Sequence, residues 1–303
     1  MATVRIGTRG SALALAQTGL IADQLASLGA EPEVVRIRTS GDERKGGAPE
    51  LGDKSRFVKE IEEALLAEEI DLAVHSAKDV PGELPDGLAI VAVPERADPR
   101  DALCGAAGLQ ELGEAAVVGT SSLRRRAQLL AVRPDLQVKE LRGNVNTRLR
   151  RLVEGKYDAV VLAAAGLARL DRATEGVPIE TAQLTPAPGQ GCLALEARVG
   201  DEEVRQLVAE LTHAESLLCL TAERALVAEL DASCRTPIGA HAHIEGGRMT
   251  LDAFVGMPDG GTWIRDSFSG DPNEPTELGQ RVAERLIAVG AADLLKQAEL
   301  AAP

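Results

Sequence analysis

Arginines crowd residues 124–151 of a chain whose formal net charge is −14. Arg124, Arg125 and Arg126 follow Gly119-Thr120-Ser121-Ser122-Leu123; Arg142, Arg148, Arg150 and Arg151 come within one short strand–turn–helix stretch. A charge run is usually a solvated, ion-paired helix face. Here acids are scarce: between 120 and 151 only Asp135 and Glu140 are negative. An anion site is the better reading, because a guanidinium fork pairs bidentately with carboxylate or phosphate and never deprotonates.

Two other residues have types and settings suited to chemistry. Asp79 lies in His75-Ser76-Ala77-Lys78-Asp79-Val80-Pro81, just past an apolar strand, where active-site groups of α/β sheets collect. On position alone it reads equally as a catalytic carboxylate or as a turn-forming Asp paired with Lys78. Cys104, Cys192 and Cys219 sit in apolar runs and read as small core residues. Cys234 instead follows a helix, in Asp231-Ala232-Ser233-Cys234-Arg235-Thr236-Pro237, and a loop beside Arg235 suits an accessible, thiolate-prone sulfur. An inert loop cysteine is the competing reading, and no nearby His supports a protease-like pair.

Composition narrows the class. At 303 residues the chain is too long for one ordinary core, so two or three domains are expected. Aromatics are only 2%, which argues against single-stranded nucleic-acid binding by base stacking, and the negative charge opposes DNA binding. Met1 runs directly into a strand-like segment, and no apolar stretch approaches a membrane span. A cytoplasmic location is expected, where disulfides are not. His241 and His243 fall on one face of a strand, which reads as a solvated face with a weak metal site as the competing reading, and no metal site is assigned.

The elements that must position these residues alternate. Val4 to Gly7 reads as a strand, Ser11 as the N-cap of a helix ending near Gly29, and Val34 to Ile37 as a second strand. Residues 40–54 read as a polar loop, and Phe57, Ile61, Ala64 and Leu65 recur at helical spacing. Strands are expected at 71–75 and 88–93. The pattern then repeats: Gly7-Thr8-Arg9-Gly10-Ser11 finds its echo in Gly119-Thr120-Ser121-Ser122, and Asp71-Leu72-Ala73-Val74 in Asp158-Ala159-Val160-Val161. Two α/β domains of related design follow, crossing at 95–99 and returning at 186–191. Thr212-His213-Ala214-Glu215 has capping-box form and opens a helix through Leu230. Turns at 245–247 and 258–261 mark hairpins, and a final helix begins near Pro275.

Five strings, in this order, resemble the hydroxymethylbilane synthase (porphobilinogen deaminase) family essentially end to end. They are Gly7 to Ala14, His75 to Pro81, Gly119 to Arg125, Leu141-Arg142-Gly143-Asn144-Val145-Asn146-Thr147-Arg148, and Cys234 ahead of Pro237-Ile238-Gly239. The resemblance implies an α/β fold: two similar periplasmic-binding-protein-like α/β domains facing a cleft, plus a small C-terminal α+β domain. The expected domains are 1–95 with 192–211, 98–187, and 212–303.

The resemblance also implies a transferase of tetrapyrrole (haem-type) biosynthesis. It joins four porphobilinogen molecules head to tail, releases ammonia each time, and yields linear hydroxymethylbilane. The chain grows on a dipyrromethane cofactor held by a thioether, and Cys234 matches that attachment. Each pyrrole carries an acetate and a propionate, which gives an arginine cluster in an acidic protein its purpose. Lys78, Ser121, Arg124, Arg125 and Arg142 match cofactor-binding positions; Arg9, Ser11, Arg148, Arg169 and Gln190 match substrate-binding ones. Asp79 matches the catalytic aspartate, which stabilises the cationic azafulvene left when ammonia departs and the cation formed by the next attack. Residues 42–56 depart from the family pattern, so no lid role is carried over to Lys54. A monomer is expected. A non-catalytic two-lobed carboxylate-binding module would use the same arginines but leaves Cys234 and Asp79 without a role. RNA binding is disfavoured by the charge and the missing aromatics.

Overall fold

The structure is a computed structural model that describes residues 3–38, 58–232 and 236–301. The chain divides into two compact units, Met1–Arg96 with Cys192–Leu217, and Ala97–Gly191 with Leu218–Pro303. No helix among the described residues is long and apolar enough to cross a membrane.

Unit one contains β1 (Thr3–Arg9), β2 (Glu31–Ile37), β3 (Leu72–Ser76), β4 (Leu88–Ala92) and β10 (Leu193–Arg198), in the order β2-β1-β3-β10-β4. Strands β1, β2 and β3 run parallel, and β10 is antiparallel to both its neighbours. Period-two alternation turns Val4 and Ile6 of β1 inward, onto Ile21 and Leu25 of the helix Ala12–Ser27. Burying such a side chain contributes about 1.5–3 kcal/mol. The helix starts where expected, with Ser11 Oγ accepting the Ala14 N–H at 3.3 Å. Strand β2 begins earlier than the sequence reading placed it and runs through Pro32. Its edge position tolerates a proline that offers no ladder donor.

Unit two repeats this plan with β5 (Asp101–Cys104), β6 (Val117–Gly119), β7 (Gln137–Lys139), β8 (Ala159–Ala163) and β9 (Val177–Pro178), in the order β7-β6-β8-β5-β9. Here β5 is the antiparallel strand. The sequence echo holds residue by residue. Ile6 and Gly7 pair with Leu72 and Ala73, as Val118 and Gly119 pair with Ala159 and Val160. Asp71 Oδ2 accepts the Arg5 N–H at 2.9 Å, and Asp158 Oδ2 accepts the Val117 N–H at 2.7 Å. The glycines are required by close approach: a Cβ would lie 2.2 Å from Ile70 Cδ1 at Gly7 and 2.7 Å from Leu141 Cδ2 at Gly119. The expected α/β class is what the chain adopts.

The rest of unit two is the antiparallel meander β11 (Ile238–Glu245), β12 (Arg248–Gly256) and β13 (Trp263–Gly270), with helices Pro275–Ala288 and Ala291–Leu300. Gly246 and Gly247 take positive φ in the two-residue turn joining β11 to β12, as such hairpins demand. The single helix expected from Pro275 is two, because Gly290 sits at φ 96° and ends the first. The capping box read at Thr212 is also corrected. The helix is Ala214–Glu229, and its Ser216 N–H bonds to Nδ1 of His213, so the imidazole serves as the cap.

Candidate active site

Unit one places Lys78 and Asp79 in a single 3₁₀ turn, Ala77–Asp79, directly off the end of β3, and both side chains are half-buried. The turn is anchored: the Ala77 N–H donates to the Cys192 carbonyl at 3.0 Å and the Val80 N–H to the Ala77 carbonyl at 3.2 Å. Beneath it lies a buried polar group that the sequence reading missed. His75 Nε2 lies 2.9 Å from Glu196 Oε2, with side-chain exposures of 5% and 0%. Gln17 Nε2 donates to Ser76 Oγ at 2.9 Å. Burial pushes the carboxyl of nearby Glu62 up, the Glu196 charge adds to this, and His75 opposes it. The only signal was a lone acid inside the apolar run Leu193-Ala194-Leu195-Glu196-Ala197. Arg9 ends β1 and Ser11 lies just beyond it; Arg9 is half-buried, and the Ser11 hydroxyl is already engaged as the helix cap.

Unit two gathers its residues around an acid that the sequence reading also passed over. Asp101 is fully buried at the head of β5. Its carboxylate accepts from Arg124 Nη1 at 2.7 Å and Nη2 at 3.2 Å, and from Arg125 Nε at 2.9 Å and Nη2 at 2.7 Å. Gln190 Nε2 adds a bond of 3.0 Å and donates to the Pro99 carbonyl at 2.7 Å. Arg124 Nη1 also donates to the Thr185 carbonyl, and Arg125 Nη1 donates to that of Val161. Arg124 and Arg125 therefore project inward, with side-chain exposures of 5% and 6%. Burial alone would raise the Asp101 carboxyl, but the charges and hydrogen bonds of Arg124 and Arg125 hold it well below the usual carboxylate range.

One carboxylate thus faces two guanidiniums, leaving a positive charge over. Arg124 Nε is buried without a hydrogen-bond partner among the described residues. That surplus charge and spare N–H fit a group bearing carboxylates, as the dipyrromethane cofactor does.

The more exposed cations lie near the helix Val145–Val153, which Asn144 caps by accepting the Thr147 N–H at 2.9 Å. Arg148 Nε donates to the Gly143 carbonyl at 2.7 Å, and its Nη2 lies 3.4 Å from Ser121 Oγ, so two of the motif strings meet. Arg142 pairs with Glu140 at 2.6 Å and is 42% exposed. Arg169 Nη2 donates to the Gly191 carbonyl at 2.7 Å. Arg150, outside the matched strings, is 68% exposed and paired only loosely, 3.5 Å from Glu154. Cys234, Lys54 and the 40–54 segment lie outside the described residues.

Asp101→Asn leaves two buried guanidiniums without their counter-charge and should destabilise the chain by about 3–5 kcal/mol, measured by urea unfolding. The pH dependence follows the same pair. Because the folded carboxyl is held below its unfolded value of about 3.9, its contribution is full above that pH and is lost as pH falls through the folded value. The wild-type stability lost between neutral pH and that acid range should shrink in Asp101→Asn.

Comparison with known proteins identifies the family. A family model described as "Porphobilinogen deaminase, dipyromethane cofactor binding domain" matches residues 4–206, and one for the C-terminal domain matches residues 217–288. Porphobilinogen deaminase from Thermus thermophilus is 48% identical over 303 residues, covering 98% of this chain and 99% of the relative. The Deinococcus radiodurans protein of the same name is 47% identical over 307 residues, with coverage of 98% and 99%. Among solved structures, the periplasmic aliphatic sulphonate binding protein SsuA from Escherichia coli is similar at a TM-score of 0.39 and 14% identity, covering 76% of this chain and 71% of that one. With family models matching across both units and relatives near half identity over the full length, the chain belongs to the porphobilinogen deaminase family.

Proposed function

We propose that this chain is a transferase that condenses four porphobilinogen molecules head to tail on a covalent dipyrromethane cofactor, releasing ammonia at each step and yielding linear hydroxymethylbilane. The observation that carries this reading is the buried Asp101–Arg124–Arg125 group, whose surplus positive charge and spare Nε–H suit an acetate- and propionate-bearing ligand. Family membership supplies the reaction. A carboxylate-binding module without catalysis would share the cations but leaves Asp79 and Cys234 without a role.

Arg124, Arg125, Arg142, Lys78 and Ser121 hold the cofactor's carboxylates and polar groups, and Cys234 carries its thioether. Bound, the dipyrromethane supplies the free pyrrole α-carbon to which the first substrate unit joins. Arg9, Ser11, Arg148, Arg169 and Gln190 bind substrate side chains, and fixing both partners brings the reacting carbons together. Gln190 acts indirectly, its Nε2 donating to the Asp101 carboxylate that holds Arg124 and Arg125. Asp79 sets a negative charge against the cation that forms as ammonia leaves the substrate, and it accepts or returns protons at the pyrrole nitrogen. Three domains, 1–95 with 192–211, 98–187 and 212–303, a monomeric state and a cytoplasmic location complete the reading.

The test is an assay of purified protein for porphobilinogen consumed and ammonia released. Wild type should release one ammonia per porphobilinogen. Arg142→Glu, which turns an attraction for carboxylate into repulsion, should lower turnover at least about tenfold or arrest elongation with short oligomers bound. Arg150→Glu should stay within about twofold of wild type, since an exposed pair is worth little. Equal effects of the two substitutions would refute specific carboxylate binding at Arg142.

A further inference from the structure

The face of the β11–β12 pair turned away from Leu251 and Ala253 brings two partly exposed imidazoles and a carboxylate together. His241 and His243 sit two apart on β11, and His241 lies directly opposite Asp252 on β12. Their neighbours Ala240, Ala242, Leu251 and Ala253 are buried on the other face, so alternation fixes the three on one side. The two rings stack with centroids 5.6 Å apart, and His243 Nδ1 lies 3.8 Å from Asp252 Oδ2, too far for a hydrogen bond. One donor atom from each of the three residues falls within 4.8 Å of the others.

We propose that His241, His243 and Asp252 form a site for a borderline divalent transition cation, zinc foremost. Two imidazole nitrogens and one carboxylate oxygen are a donor set zinc accepts, with a fourth position left for water. Calcium and magnesium are disfavoured, since they take oxygen ligands. A tetrahedral centre with bonds of about 2.0–2.1 Å needs donors about 3.3 Å apart, and rotation about the side-chain torsions closes that gap.

The backbone beneath the site is fixed. The Ala240 N–H donates to the Pro186 carbonyl at 2.9 Å. The Ala242 N–H donates to Glu223 Oε1 at 2.8 Å, and Glu223 Oε2 accepts the Gly189 N–H at 2.6 Å. Both amides flanking His241 are therefore tied down, so the ligands stand on a rigid strand pair rather than a loop. The cation would clip β11 to β12 and has no part in the condensation.

The probe is zinc alone, titrated by calorimetry into untagged cofactor-loaded protein, with the ring resonances of the histidines followed by NMR. One equivalent should bind, shifting His241 and His243 while His75 and His213 stay in place. His243→Ala should weaken binding about tenfold or more, and Asp252→Asn, which keeps the shape and loses the charge, should weaken it less, with far-UV circular dichroism unchanged in both. Zinc that leaves the His241 and His243 signals unmoved, or that binds His243→Ala as tightly as wild type, overturns the proposal.

Discussion

Cys234→Ser protein should weigh what its sequence dictates, give no pyrrole colour after denaturation and make no product, whereas the wild-type chain should carry the added mass of two linked pyrrole units. A thioether bond needs a thiolate to form, and a serine oxygen is a far poorer nucleophile at neutral pH. The other three cysteines are poor competitors. Cys104, Cys192 and Cys219 are exposed by only 0%, 1% and 6%. The Cys104 thiol is pushed up to about 11, by burial first and then by the charge of Glu175. Replacing any of these three by serine should keep the adduct and cost about 1–3 kcal/mol of stability for bringing a hydroxyl into a buried site. Peptide mapping that places the adduct elsewhere, or active enzyme without one, would remove the thioether from the proposal.

Asp79→Asn should retain the adduct and the fold yet lower turnover by about a hundred- to a thousandfold. The amide keeps the shape of the carboxylate but cannot oppose a cation or hold a proton. Asp79 lies half-buried in its 3₁₀ turn, held by backbone bonds of Ala77 and Val80 that the substitution leaves intact. Unfolding midpoints should therefore stay close to wild type while the rate collapses. Near-normal hydroxymethylbilane formation by the Asn variant would end the assignment.

The repeated Gly-Thr turns, the Ser11 cap and the Gly246-Gly247 hairpin were legible in the sequence because each is a local rule acting over a few residues. The strands β5 and β9 were not: at four and two residues they carry too little alternation to register. The arginine cluster suggested an anion site, and what its inward half meets was hidden for a physical reason. One acid, Asp101, lies 23 residues upstream of Arg124 yet meets both Arg124 and Arg125. Likewise His75 and Glu196 meet across 121 residues, a distance over which no spacing rule operates. Fold class followed from periodicity; the polar interior required tertiary contacts.

The placement of β10 bears on synthesis of the chain. In unit one it lies between β3 and β4 yet follows them by some hundred residues, whereas every strand of the unit-two α/β sheet falls between 101 and 178. A chain emerging from the ribosome can therefore close the second sheet while the first still lacks the strand that joins its edge to its centre. Until residue 198 is free, β4 lacks its strand partner β10, and the core around Leu193 and Leu195 is incomplete. The nascent first half is then the vulnerable species, and long-range closure by β10 should be the slow event in its folding.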